Sequence, residues 1–329
     1  MTPLVPIALF GWPIFVLGLF ATIPPRRAVL IGVIGGWLFL PMAGYQFADI
    51  PDYDKYAAVS LSVLLGSLAF DHRALTSLRP RLVDVPMIIF VLSPFATLIA
   101  AGLGPLAGLS HVLTGMFRWG IPYAIGRAYF RDWRSLRELA IGVFIGGLVY
   151  LPLVWYEIRM SPQLHTIVYG YFQHTFAQHI RYGGYRPIVF MQHGIMVGLW
   201  MAAASLTGLW LWRTRSLVVL WRMPMSVLVP ALIVTTVMCK SGSAIVSLGL
   251  GFGVLFAIRR LGSGVPLLFL ALVVPVYIVV RMTGTWSGTS VVALVAELDT
   301  ERAGSMGGRM REEDVYVVQA LKRPLLGWG

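Results

Sequence analysis

The chain has 329 residues, 57% of them hydrophobic and only 12% charged, against ~25% charged in a typical soluble domain. With a mean hydropathy of +0.77, that much apolar surface cannot be hidden in soluble cores, so a water-soluble enzyme, a disordered chain and a secreted disulfide scaffold are excluded. A single cysteine, Cys239, rules out an internal disulfide and any multi-cysteine metal site, and the net charge of +12 reads as topology signal, not as a nucleic-acid partner.

An apolar stretch of about 20 residues crosses a bilayer as a helix. Ten such segments are predicted: 3–23, 28–43, 56–70, 84–103, 118–130, 139–157, 187–212, 223–239, 241–258 and 262–281. The expected fold is therefore all-α, a polytopic integral membrane protein of about ten transmembrane helices. The third and fifth segments are short, and the fifth carries Arg118 and Arg127. The eighth and ninth leave room only for a tight turn around Lys240.

Basic residues set the orientation. Alternate short loops hold Arg26 and Arg27; Arg73, Arg79 and Arg81; Arg131, Arg134 and Arg137; Arg213, Arg215 and Arg222; and Arg259 and Arg260, the signature of a cytoplasmic face. The first loop of the other face is acidic, with Asp49, Asp52 and Asp54. Both ends of the chain are expected outside the cytoplasm, and the first segment reads as an anchor, not a cleaved signal. Trp210, Trp212 and Trp221 flank one inner loop and Trp155 closes a span on the outer side, the depth amphipathic rings prefer.

Two outer segments are too long to be simple connectors, 157–186 and 282–329. They divide the chain into a transmembrane domain, 1–281, which includes the first outer segment, and the start of a large outer loop, 282–329. In the first, His165, Tyr169, Phe172 and Phe176 recur at helical steps, predicting a short interfacial helix that lies on the membrane or packs on neighbouring helices. Gly183 and Gly184 end it, placing Arg181 and Arg186 where water meets lipid. In the second, Gly307 and Gly308 precede a helix with Glu312, Glu313 and Asp314 early, Lys322 and Arg323 late and Pro324 beyond. Its Arg309 and Arg311 either pair locally with those acids or face outward.

Much chemistry is absent. His174 and His179 stand five apart, which misses the four-residue helical step of a paired metal site, and no acid lies at ligand spacing; neither a metal nor another cofactor is expected. Gly249, Gly251 and Gly253 fall inside a span, where close helix packing outweighs a phosphate-loop reading. The spans hold almost no acids, which argues against an ion-coupled transporter. What remains is an outward basin of arginines, whose planar forks grip phosphate in two-point fashion. A lipid-linked diphosphate fits both the charge and the depth.

Three stretches resemble the O-antigen ligase and O-antigen polymerase (Wzy-type) superfamily of bacterial inner-membrane proteins. They are GGRMREEDVYVVQALKRPLLGWG, with Ala320, Leu321, Pro324, Gly327 and Gly329; CKSGSAIVSLGLG, with Lys240 and Ser241; and RYGGYRPIVFMQHGIMVGLWM. The resemblance implies metal-independent, inverting transfer or polymerisation of glycan from an undecaprenyl-diphosphate donor to a glycan or lipid acceptor on the periplasmic face, among membrane lipids. It places Arg181 or Arg186, Arg309 and Lys240 on the diphosphate. It also puts the catalytic histidine beyond Gly329, so the chain reads as truncated, its catalytic residue unknown. Two other readings compete: a flippase or transporter for a lipid-linked glycan, and a non-catalytic subunit of an envelope-polysaccharide system.

Overall fold

The computed structural model describes all residues except Ala48, Asp49, Asp299, Leu325 and Gly329, and additionally leaves aside the side chains of Ile50, Leu298 and Glu301. The acidic Asp49 and the terminal Gly329 named above therefore lie outside the described residues. Helix α1 (Leu4–Thr22) is followed by α2 (Pro25–Leu30), a π turn at Ile31–Gly35 and α3 (Gly36–Phe39), which run on as one helix. A hairpin of β1 (Gly44–Phe47) and β2 (Ile50–Asp54) leads into α4 (Lys55–Phe70) and the short α5 (His72–Thr76). Next come α6 (Val85–Ala100), α7 (Gly104–Gly115), a π turn at Met116–Gly120, α8 (Ile121–Tyr129) and α9 (Trp133–Met160).

The segment 157–186 holds α10 (Leu164–Tyr169), a 3₁₀ turn at Phe176–His179 and a hairpin of β3 (Ile180–Arg181) and β4 (Gly184–Tyr185). Helix α11 (Gly194–Arg213), a hairpin of β5 (Val219–Leu220) and β6 (Met223–Pro224), α12 (Met225–Met238), α13 (Gly242–Leu261) and α14 (Val265–Met282) follow. The chain closes with α15 (Thr289–Leu298) and α16 (Thr300–Lys322).

Each of the ten segments expected from hydropathy overlaps helix, some of them over only part of their length. Among the described residues, six helical stretches are long and apolar enough to cross a bilayer: Leu4–Thr22, Leu82–Ala100, Trp133–Met160, Gly194–Arg213, Gly242–Leu261 and Val265–Met282; α4 and α12 are apolar but shorter. The protein is a multi-pass helical membrane protein. The segment placed at 118–130 is the end of a longer helical run that begins at Gly104, with a π turn in its middle. Its two arginines are neutralised locally: Arg118 reaches the Asp54 carboxylate at 3.3 Å and lies over the Tyr56 ring, and Arg127 pairs with Asp84. The segment placed at 187–212 becomes helical only at Gly194, a difference that creates the site described below.

Side-chain caps define the helix starts that matter. Asp54 accepts hydrogen bonds from the amides of Tyr56 and Ala57 at the head of α4, and Asp132 accepts from Ser135 at the head of α9, each occupying otherwise orphaned donors.

Close contacts divide the chain into two units. The first, Met1–Leu92 with Ser110–Gly253, contains two apolar cores. One lies where α9, α11 and α12 pack together, and small residues set their separation: a Cβ on Gly147 of α9 would stand 2.4 Å from the Cβ of Ala204 on α11. Gly251 of α13 likewise leaves room for Leu206, which is the packing role expected of that glycine. At one end of this unit the basic loops converge, since Arg26 pairs with Asp132, Arg131 reaches Ala74 and Ser77, and Arg137 reaches the carbonyl of Ser216. At the other end Thr2 meets Tyr169, Met42 meets His165 and Lys55 meets Phe190. This two-ended layout matches the charge pattern in the sequence.

The second unit, Ser93–Leu109 with Val254–Gly329, takes in the end of α13 and α14 together with the closing segment. Its α16 is 23 residues long and starts at Thr300, nine residues earlier than the sequence suggested. Gly304, Gly307 and Gly308 lie inside it. Two of the three acids expected to pair with Arg309 or Arg311, Glu313 and Asp314, are drawn elsewhere. Arg281 of α14, 6% exposed, is bonded to Glu313, at 3.3 Å, and Asp314, at 2.8 Å, and to the carbonyls of Trp286 and Met310.

Candidate functional site

Between α9 and α11 the chain crosses one end of the first unit without regular helix, and buried polar side chains hold it there. Glu157, at the end of α9 and 1% exposed, accepts three backbone N–H groups: Leu164 at 2.9 Å on one oxygen, Ile188 at 2.8 Å and Val189 at 2.7 Å on the other. The Tyr150 hydroxyl accepts from the Phe190 amide at 3.0 Å, the Lys55 ammonium donates to the Phe190 carbonyl at 3.1 Å, and the Gln173 amide donates to the carbonyls of Val189 and Met191. A run such as Pro187-Ile188-Val189-Phe190-Met191 has the hydropathy of a span. It stays non-helical because its backbone groups are satisfied by these partners, as buried groups must be. Sequence reasoning missed all four; a lone acid and a lone lysine at the ends of apolar helices were the available signal.

The expected interfacial helix is replaced by shorter pieces. Gly170, in the left-handed region at φ 79°, caps α10 after only six residues. His165 and Tyr169 turn inward and are buried. His165 is fully used: its Nδ1 donates to the Tyr171 carbonyl at 2.9 Å while its Nε2 accepts the Met42 amide at 3.2 Å. Burial lowers its pKa below the ordinary histidine value. Phe172 and Phe176 pack on each other instead of continuing a stripe.

Gly183 does not break a helix but turns a hairpin. Tyr182 and Gly183 both have positive φ, 50° and 67°, the turn that suits two tightly paired strands. The Lys240 ammonium, carried on a left-handed residue between α12 and α13, donates to the carbonyls of Arg181 at 3.0 Å and Tyr182 at 3.2 Å. A Cβ on Gly184 would stand 2.4 Å from that nitrogen, so a side chain there would push the ammonium off these carbonyls. Arg186, just past the hairpin, is 5% exposed; its amide is bonded to the His179 carbonyl at 2.8 Å and its guanidinium to the Ser241 hydroxyl at 3.3 Å. Arg181, Arg186 and Lys240 are thus gathered around one hairpin. Arg309 belongs to the second unit, exposed on α16.

Beside Arg186 lies a group that spacing did not reveal. His174, His179 and His193 come together, with ring centroids 4.6 to 5.5 Å apart and one nitrogen from each ring within 4.8 Å of the others. The helical step between His174 and His179 has no bearing on them, since 174–179 is not a continuous helix and the third ring comes from the head of α11. His179 is fully buried. Burial first, then repulsion from His193, His174 and Arg186, pulls its pKa down to about 4, so the ring is neutral at pH 7.

Comparison of the chain with protein-family models, curated proteins and solved structures returns no match.

Proposed function

We propose that this protein is an inner-membrane glycan transferase or polymerase of the O-antigen ligase type, with its ten apolar segments crossing the membrane and both ends in the periplasm. The observation that supports the reading is the gathering of Arg181, Arg186 and Lys240 around the β3–β4 hairpin of the first unit, outside the apolar helices. Guanidinium and ammonium groups at that depth suit the diphosphate of an undecaprenyl-linked donor whose lipid tail remains in the bilayer. An acceptor hydroxyl, from a glycan or a lipid, displaces the diphosphate at the sugar's anomeric carbon with inversion. Cations around the departing diphosphate stabilise the charge that develops on it. The family resemblance also assigns Arg309, on α16 of the second unit, a role in transfer.

The test is transfer of labelled glycan from an undecaprenyl-diphosphate donor by membranes containing the full-length protein, including whatever the gene encodes beyond Gly329. Arg186→Ala and Arg309→Ala abolish transfer at unchanged protein abundance, and Arg→Lys at either position restores only part, because a point charge loses the two-point geometry. Full activity in both alanine variants refutes the proposal.

A further inference from the structure

We propose that His174, His179 and His193 form a binding site for one zinc-class divalent cation, with three imidazole nitrogens as ligands and a fourth position open to an oxygen ligand. The candidate nitrogens lie within 4.8 Å of one another. Tetrahedral zinc, at about 2.0–2.1 Å from each nitrogen, brings such atoms to about 3.4 Å, so side-chain rotations of about 1 Å close the site. His179 supplies the independent indication. Its ring is fully buried and neither nitrogen has a hydrogen-bond partner among the described residues. A buried polar ring left unpaired is costly, and a metal bond resolves it.

The other two rings have work to give up. In the metal-free chain His174 Nδ1 accepts the Thr175 amide at 2.7 Å and His193 Nδ1 accepts the Ile195 amide at 3.0 Å. Loading exchanges these local contacts for metal–nitrogen bonds, the stronger interaction. Imidazole-only ligation selects zinc, copper or nickel over magnesium and calcium, which demand oxygen. The nearby Arg186 repels a bare dication, so the fourth ligand is an anionic oxygen that faces both charges. The site runs against the metal-free chemistry that the family resemblance implies, and it does not depend on the glycan-transfer reading.

The experiment is metal titration of the whole chain, purified in detergent with a tag that lacks histidine and stripped with chelator. Bound zinc is counted by mass spectrometry, and cobalt is followed by the intense visible absorption of four-coordinate geometry. One equivalent per chain is expected. His179→Gln, His174→Gln and His193→Asn each weaken binding by more than the roughly 10- to 100-fold that loss of a supporting partner costs, whereas His72→Gln does not. Asparagine at 193 keeps the cap on α11, and His174 is only half-buried, so these two variants test the ligands without emptying the core. Absence of stoichiometric metal on monodisperse protein, or unchanged affinity in His174→Gln and His193→Asn, overturns the proposal.

Discussion

Replacing Glu157 tests whether a single carboxylate orders the outer segment. Its two oxygens accept three backbone amides, Leu164 on one and Ile188 and Val189 on the other, at 2.7 to 2.9 Å. A hydrogen bond to a charged group contributes about 1.5–3 kcal/mol. In Glu157→Gln the carboxamide oxygen can keep Ile188 and Val189, but its NH₂ then faces the Leu164 amide, donor against donor. One charged bond is lost there and two are weakened, a local cost of about 2–3 kcal/mol. In Glu157→Ala all three amides lose their acceptor, and the cost rises to about 4 kcal/mol or more before water enters. Amide hydrogen exchange of the protein in nanodiscs, read on peptides covering 161–193, reports the local opening. The glutamine variant should exchange there roughly 30- to 150-fold faster, since each 1.4 kcal/mol is a factor of ten, and the alanine variant faster still, with α1 and α4 unchanged. Wild-type protection in both variants would refute the reasoning.

Gly147→Ala forces the α9–α11 crossing apart and lowers stability by about 1–3 kcal/mol; Ala204→Gly in the same chain should restore most of it, which thermal unfolding of the double variant checks. His165 is held neutral, with a folded pKa below its unfolded value, so the unfolded state binds more protons and stability falls as pH drops from about 6.5. His165→Asn should flatten that part of the stability–pH curve, and an unaltered slope would count against it. Arg281→Met leaves Glu313 and Asp314 without their cation, but these acids are 40% and 61% exposed. The expected loss is therefore about 1–3 kcal/mol, below that of breaking a fully buried pair, and it should appear as early proteolysis within 282–329.

Hydropathy made the membrane body legible, because lipid forces backbone groups to bond within each helix and leaves long apolar runs as the signal. It could not separate a helix from an extended buried strip. Residues 187–191 are apolar in either state, and the choice is made by Glu157, Lys55, Tyr150 and Gln173, up to 135 residues away in sequence. The aromatic stripe failed for a local reason, the left-handed Gly170 that stops α10. The histidine spacing misled because it presumed a helix where the chain turns and because His193 arrives from the next element. Likewise Glu313 and Asp314 serve Arg281, 32 and 33 residues away, and not the neighbouring arginines of α16. Charge position within 157–186 pointed to Arg181 and Arg186, whereas Lys240 entered only through the family resemblance, since its approach to their hairpin comes from the turn between α12 and α13.

The most direct test of the account is the binding of undecaprenyl diphosphate to the purified protein in nanodiscs, compared with undecaprenol and with the Arg186→Ala variant. The account requires saturable binding of the diphosphate, none of the alcohol, and a loss of roughly 30- to 150-fold in the variant, the equivalent of one charge-assisted phosphate contact of about 2–3 kcal/mol. Equal binding of diphosphate and alcohol, or an Arg186→Ala variant as tight as wild type, would contradict it.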